Sequence, residues 1–180
     1  MDGEYKKWDK TLFEKHDRLG KKYASHFLPK ILKLVNPKKY KNVEVKENPD
    51  KFGPDLECYN NGKLIGYFEP EIKNNWDTEN FNFPDLQIPE RKAKWVDGHN
   101  GLPVTFCILR KPVAGGSSPP SIQGMATVTG KNVASSPKQM VPNKYVPQGE
   151  LFFKVPLNKV KFHDFSEVLD LEKIEDENRS

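Results

Sequence analysis

The stretch LECYNNGKLIGYFEPEIK, residues 56–73, decides the fold. Asn60-Asn61-Gly62 has the residues of a tight hairpin turn, because Asn and Gly accept the left-handed backbone that such a turn requires. The runs on either side, 56–59 and 63–73, are rich in aromatic and aliphatic residues and are expected to pair as antiparallel strands. A period of two then puts Glu69, Glu71 and Lys73 on one face of the second strand, with Phe68, Pro70 and Ile72 on the other. Two carboxylates and an ammonium on one face of an otherwise apolar strand call for a purpose, since charges are costly to bury unless paired. Pro70 is a second oddity. It cannot donate to a ladder, so it predicts an edge strand or a bulge.

Outward from the hairpin, residues 4–35 carry Trp8, Leu12, Phe13, Leu19, Tyr23, Phe27, Ile31, Leu34 and Val35 at helical spacing, with Pro29 expected to kink that helix or start a second one. A short strand at 42–47 precedes the hairpin, giving a three-stranded antiparallel meander. After a polar and aromatic loop, IPERKAKW (88–95) reads as a short helix, with Pro89 in its first turn and Trp95 packed inward. The continuous apolar run at 104–109 reads as a central strand, and further strands are expected at 125–129, 150–155 and 160–162. The Pro, Gly and Ser content of 112–124 predicts a flexible loop, 137–150 either a lid or an ordinary connection, and 166–180 an acidic tail. Together these elements predict an α/β (α+β) fold, a central mixed β-sheet flanked by helices, as a single domain over 1–180.

Composition agrees with a soluble globular chain. Its 180 residues are 36% hydrophobic and 30% charged, enough for one real core under a heavily charged surface. No apolar run approaches the roughly 20 residues that span a bilayer. The start MDGEYKKWDK is charged from its second residue and no lipidation motif is visible, so the expected location is cytoplasmic or otherwise internal. Cys58 and Cys107 lack metal-ligand spacing and read as buried, reduced thiols, and the four histidines are scattered. The net charge of +4 is concentrated in a basic first third, which leaves room for a polyanion against the N-terminal half.

The residues that carry chemistry lie around Gly53-Pro54-Asp55, at the mouth of the first hairpin strand. Folding back places Asp55 beside Glu71 or its neighbours, with Lys73 two residues further on the same face. Carboxylates held that close repel, and a hard cation such as Mg²⁺ or Mn²⁺ relieves the repulsion while keeping sites open for phosphate oxygens. A nearby lysine would orient an attacking water and offset charge growing on the phosphate.

Pro54-Asp55 followed by Glu71-Ile72-Lys73 across a hairpin-sized gap resembles the PD-(D/E)XK nuclease superfamily, over roughly residues 10–110. The resemblance implies a restriction-endonuclease-like fold and Mg²⁺-dependent (or Mn²⁺-dependent) cleavage of DNA. It implies metal ligation by Asp55, Glu71 and the Ile72 carbonyl, with Lys73 as the catalytic lysine. Many members carry a further glutamate on the first helix, for which Glu14 is the best-placed candidate and Asp17 the next. Glu69, Gln87 and Glu90 are further candidates for the site, and Lys21, Lys22, Arg91 and Lys94 for DNA contacts. Trp76, Phe81 and Phe83 would stack on bases or pack over the sheet edge. RNA stays open as a substrate, and many relatives act as dimers, so a homodimer is allowed. The alternative is a catalytically inactive nuclease-like fold acting as a nucleic-acid-binding or protein-interaction module.

Overall fold

The structure, a computed structural model, describes residues 10–142 and 147–179, the side chains of 118 and 175–179 excepted. The chain opens with a long helix α1 (Lys10–Val35) and continues through β1 (Val43–Glu47), β2 (Leu56–Asn60), β3 (Lys63–Lys73) and β4 (Asp85–Pro89) into a 3-10 helix, Glu90–Trp95. There follow β5 (Val104–Arg110), β6 (Val113–Gly115), β7 (Ser118–Ser121), β8 (Gly124–Thr129) and a short α2 (Gly130–Ala134). The remaining elements are β9 (Lys138–Val141), β10 (Glu150–Pro156), β11 (Lys161–Asp164) and α3 (Phe165–Arg179). The main sheet has six strands in the order β1-β2-β3-β5-β8-β11, and a second has three in the order β4-β10-β9.

The main sheet is mixed. β1, β2 and β3 form the expected meander, and β8 runs antiparallel to both β5 and β11, while β3 and β5 are parallel. Parallel neighbours need a crossover, and here it carries β4 and the 3-10 helix over one face of the sheet. Two apolar layers result. On one face α1 sets Ala24, Phe27, Leu28 and Ile31 against Val45, Leu56, Cys58, Phe68 and Leu109. Phe165 of α3 joins this layer, its ring stacked on Phe27 with centroids 3.9 Å apart. On the other face Tyr67, Phe106, Ile108 and Val128 meet Leu86, Ile88, Trp95, Phe153 and Val155 from the crossover and the smaller sheet. The central mixed sheet flanked by helices is as expected, with a small sheet as the unexpected second cover.

Several expectations change in detail. α1 runs unbroken through Pro29, and the part of the expected helix at 4–9 lies outside the described residues. β3 is an interior strand, and the irregularity in its pairing with β2 falls at Cys58/Tyr59 and not at Pro70. Pro70 is tolerated because β3 outruns β2. Its ladder with β2 ends at Phe68, so at Pro70 a missing N–H on that side leaves no ladder bond unmade. The 112–124 segment, expected as a loop, forms the β6–β7 hairpin around Gly116, whose φ of 63° suits a glycine turn. The acidic tail is helical as α3, because the Asp164 carboxylate accepts from the N–H groups of Ser166 and Glu167 and caps its start. The 137–150 segment holds β9 and the first residue of β10, with 143–146 outside the described residues. Cys58 and Cys107 are free and buried. Among the described residues no helix is long and apolar enough to cross a membrane.

Candidate functional site

A single extra residue sets the site. At the turn Asn60 pairs with Lys63 and Tyr59 with Leu64, but Cys58 pairs with Gly66, so Ile65 has no partner across the hairpin. Continued without that bulge, the register would put Asp55 opposite Phe68, on the face that packs against α1. With it, Leu56 meets Phe68 and Asp55 arrives beside Glu69, on the opposite face. The backbone N–H of Asp55 donates to Glu69 Oε2 at 3.0 Å, which fixes the two residues together.

Glu69 is buried, at 8% exposure. Its second oxygen accepts from Lys92 Nζ at 2.8 Å, a short charge-assisted bond that orients the carboxylate. Lys92 reaches it from the 3-10 helix. Residues three apart eclipse on such a helix, so the turn that buries Trp95 in the apolar layer also turns Lys92 inward. The same ammonium lies 3.7 Å from Glu71 Oε2, and Arg91 Nη2 lies 3.7 Å from Glu71 Oε1. Arg91 Nε also pairs with Glu150 of β10 at 3.3 Å. On the other flank, α1 brings Lys21 Nζ to 3.9 Å from Asp55 Oδ1, 3.8 Å from Glu47 and 3.0 Å from Asp17.

The charges therefore run Asp17, Lys21, Asp55, Glu69, Lys92, Glu71, Arg91, Glu150. They alternate except at the Asp55–Glu69 step, and the electrostatics follow that break. Burial, and then the Glu69 charge, push the Asp55 carboxyl up to about 6 despite Lys21. Burial works against the Lys92 ammonium, but Glu71 and Glu69 more than offset it, and its pKa lies above the ordinary lysine value. Lys21 behaves likewise, with Asp17 and Asp55 outweighing its burial.

Of the expected site residues, Asp55, Glu69, Glu71, Lys21 and Arg91 are brought together, and the others are placed apart. Lys73 is two residues beyond Glu71 on the same strand face and feels its charge, but lies four residues beyond Glu69, roughly 13 Å along the strand. Its ammonium sits 4.6 Å from the centroid of the Phe83 ring, and burial lowers its pKa in spite of Glu71 and Asp85. Ile72 pairs with Leu109, and its side chain lies on the α1 face, against Gly20. On α1 it is Asp17 that reaches the cluster, whereas Glu14 is exposed a turn away, 3.9 Å from Lys10. Gln87 is opposite Lys154 in the small sheet, and Glu90 lies 3.7 Å from Lys138. Lys22 is exposed on α1, and Lys94 lies over the Trp95 ring at 4.7 Å. Trp76 is buried and meets Phe81 edge to face, so this loop packs over the sheet. Lys92 is the residue that strand spacing misses. Its signal is the inward i, i+3 pair with Trp95 in IPERKAKW.

Beside Asp55 opens a cleft of about 480 Å³, lined by Lys21, Glu47 and the β1–β2 loop residues Asn48, Asp50, Lys51 and Gly53. Among the described residues no group of three or more His, Cys, Asp or Glu side chains is set up to hold a metal ion. The site offers instead one apposed pair, Asp55 and Glu69, with Glu71 next along the strand. No family model, curated protein or solved structure matches the chain.

Proposed function

We propose that this protein is a divalent-metal-dependent nuclease that hydrolyses phosphodiester bonds in DNA, on a restriction-endonuclease-like variant of the mixed sheet. The observation that carries the reading is the Asp55–Glu69 contact, in which the Asp55 backbone N–H holds the Glu69 carboxylate beside a residue whose own carboxyl lines a cleft, with cations on both flanks. An inward pair of hard oxygen donors, one of them raised in pKa by burial and then by the charge of the other, fits Mg²⁺ or Mn²⁺. Bound between Asp55 and Glu69, such an ion would supply Lewis acidity toward a phosphate oxygen and toward water.

The chain's own residues do the rest. Glu69 is held in one orientation by the Asp55 N–H and the Lys92 ammonium, so no side-chain ordering is left to the moment of reaction. Lys92 is the amine within reach of both glutamates, and it takes the role that the strand spacing gave to Lys73: a donor toward charge growing on the phosphate. Lys21 and Arg91, one on each side, hold the phosphate backbone without reading bases.

One assay tests the reading: supercoiled plasmid, linear duplex and single-stranded DNA, each with and without Mg²⁺ or Mn²⁺. Cleavage that needs the ion and is lost in Glu69→Gln is the expected result. Ion-independent cleavage, or full activity in Glu69→Gln, overturns it. A second reading, a catalytically inactive nucleic-acid-binding module, is favoured by the fact that Lys92 and Arg91 already neutralise Glu69 and Glu71. Under that reading calorimetry detects no millimolar Mg²⁺ or Mn²⁺ binding and the plasmid stays intact.

A further inference from the structure

Phe52 is 89% exposed, the most exposed large apolar side chain among the described residues. Its loop is not loose. Asn48 N–H donates to the Asp55 carbonyl at 2.9 Å and the Asn48 amide donates to the Pro54 carbonyl at 2.9 Å, closing the segment into a ring. Inside it, Asp50 N–H donates to Asn48 Oδ1, Phe52 N–H to Asp50 Oδ1, and Gly53 N–H to the Asp50 carbonyl, all at 3.0 or 3.1 Å. A side chain at Gly53 would displace the Asn48 amide from this ring, since a Cβ there would meet its nitrogen at 2.6 Å. A backbone tied down this completely holds the ring in water, where an apolar side chain contributes nothing to the core.

The loop is also one wall of the cleft. Lys51 and Gly53, the two chain neighbours of Phe52, line it together with Lys21 and Asp55. The lining sets Lys21 and Lys51 against Glu47, Asp50 and Asp55, and the exposed ring of Phe52 follows Lys51 directly in the chain. A cation with an aromatic ring beside it supplies the two elements of a surface that binds unpaired nucleic acid. Asp55 is three steps along the chain from Phe52, a reach of at most about 10 Å, and stacked nucleotides repeat at about 3.4 Å. The ring therefore addresses a base within two or three nucleotides of a phosphate held at Asp55.

We infer that Phe52 stacks on an unpaired base within two or three nucleotides of the phosphate that is cut, so that the preferred substrate is DNA presenting a free base face: a single strand or an open duplex end. This rests on the nuclease reading above and narrows its substrate. Bases inside a closed duplex already have both faces covered and offer the ring nothing.

The test uses the full chain carrying Glu69→Gln, so that substrate survives, in Mg²⁺. Fluorescence anisotropy measures its affinity for a single-stranded oligonucleotide and for a covalently closed duplex of equal length. Adding Phe52→Ala is expected to weaken single-strand binding about tenfold or more and closed-duplex binding by no more than about twofold. Phe52→Trp should restore the single-strand affinity and Phe52→Leu should not, because stacking needs a ring and simple apolar contact does not. Equal loss on both substrates, rescue by Leu as good as by Trp, or no loss at all overturns the inference. Ion-dependent cleavage by the native chain, measured alongside, separates the two failures: with cleavage present and Phe52→Ala silent, only the stacking role falls. With neither cleavage nor binding in the native chain, both fall.

Discussion

Lys73 and Lys92 sit on the same side of one sheet, two part-buried ammonium groups that both feel Glu71, yet the balance of burial and charge goes opposite ways at the two. Lys92 meets two carboxylates at 2.8 and 3.7 Å, and its positive charge is favoured in the fold. Lys73 faces an aromatic ring, and burial disfavours its charge. The difference is one of register. Glu71 and Lys73 share a strand face by simple alternation, but which end of that face becomes a site is decided by where Asp55 lands, and Asp55 lands at Glu69. A lysine's place in a motif is then less informative than the carboxylate it reaches.

Swapping each lysine for methionine, which keeps the stem and removes the charge, breaks the comparison most directly. Lys92→Met leaves Glu69 buried against Asp55 with no cation in contact, so a loss of about 3 kcal/mol of stability and at least a hundredfold of cleavage is expected. Lys73→Met removes a charge that burial already disfavours. Its stability should stay within about 1 kcal/mol of the parent and its cleavage within about threefold. Denaturant melts and plasmid nicking rates check both, and the reverse pattern would return the catalytic role to Lys73.

Much of this is legible in the sequence. The hairpin, the meander and the central β5 follow from turn chemistry and apolar runs that are local in sequence. The bulge at Ile65 was not, because KLIGYF reads equally well in either register and only packing against α1 on one face and Trp95 on the other selects between them. β4 was hidden for a related reason. Its inward pair, Leu86 and Ile88, is too short to show alternation, and its partner β10 lies more than 60 residues away. The charged cluster was legible as residue types and not as an arrangement: every member but Lys92 and Glu150 was in view as a site candidate, yet which carboxylate met which cation depended on that one extra residue.

Asp55 sharpens the comparison through pH. Its carboxyl titrates at about 6 in the folded chain against 3.8 for the free group, so the folded state binds this proton more tightly. The stability that the group contributes is therefore full below 3.8 and is lost as pH rises through 6, a loss on the order of 3 kcal/mol. In Asp55→Asn that part of the slope disappears, and the variant should melt a few degrees above the parent at pH 8 while failing to cleave. Thermal melts at pH 4, 6 and 8 measure it. A parent whose stability rises between pH 4 and 6 by the same amount in both proteins would show that Asp55 is not strained by its neighbour. Millimolar Mg²⁺ should flatten the parent's slope, because a cation at Asp55 favours its ionised form.

The smallest effect is expected at the cation furthest from the break in the alternation. Arg91 is mostly exposed, at 62% for its side chain, and its two partners, Glu71 and Glu150, are only part-buried. Exposed pairs of this kind contribute little to stability, so Arg91→Ala should leave the melting temperature nearly unchanged. Its role, if it holds the phosphate backbone, is to release a counterion on binding. The slope of log affinity against log salt should then become shallower by about 1 in Arg91→Ala, equally for every DNA sequence tried. An unchanged slope would assign Arg91 to holding Glu71 and Glu150 alone, and would leave Lys21, on the opposite flank, as the cation that meets the strand.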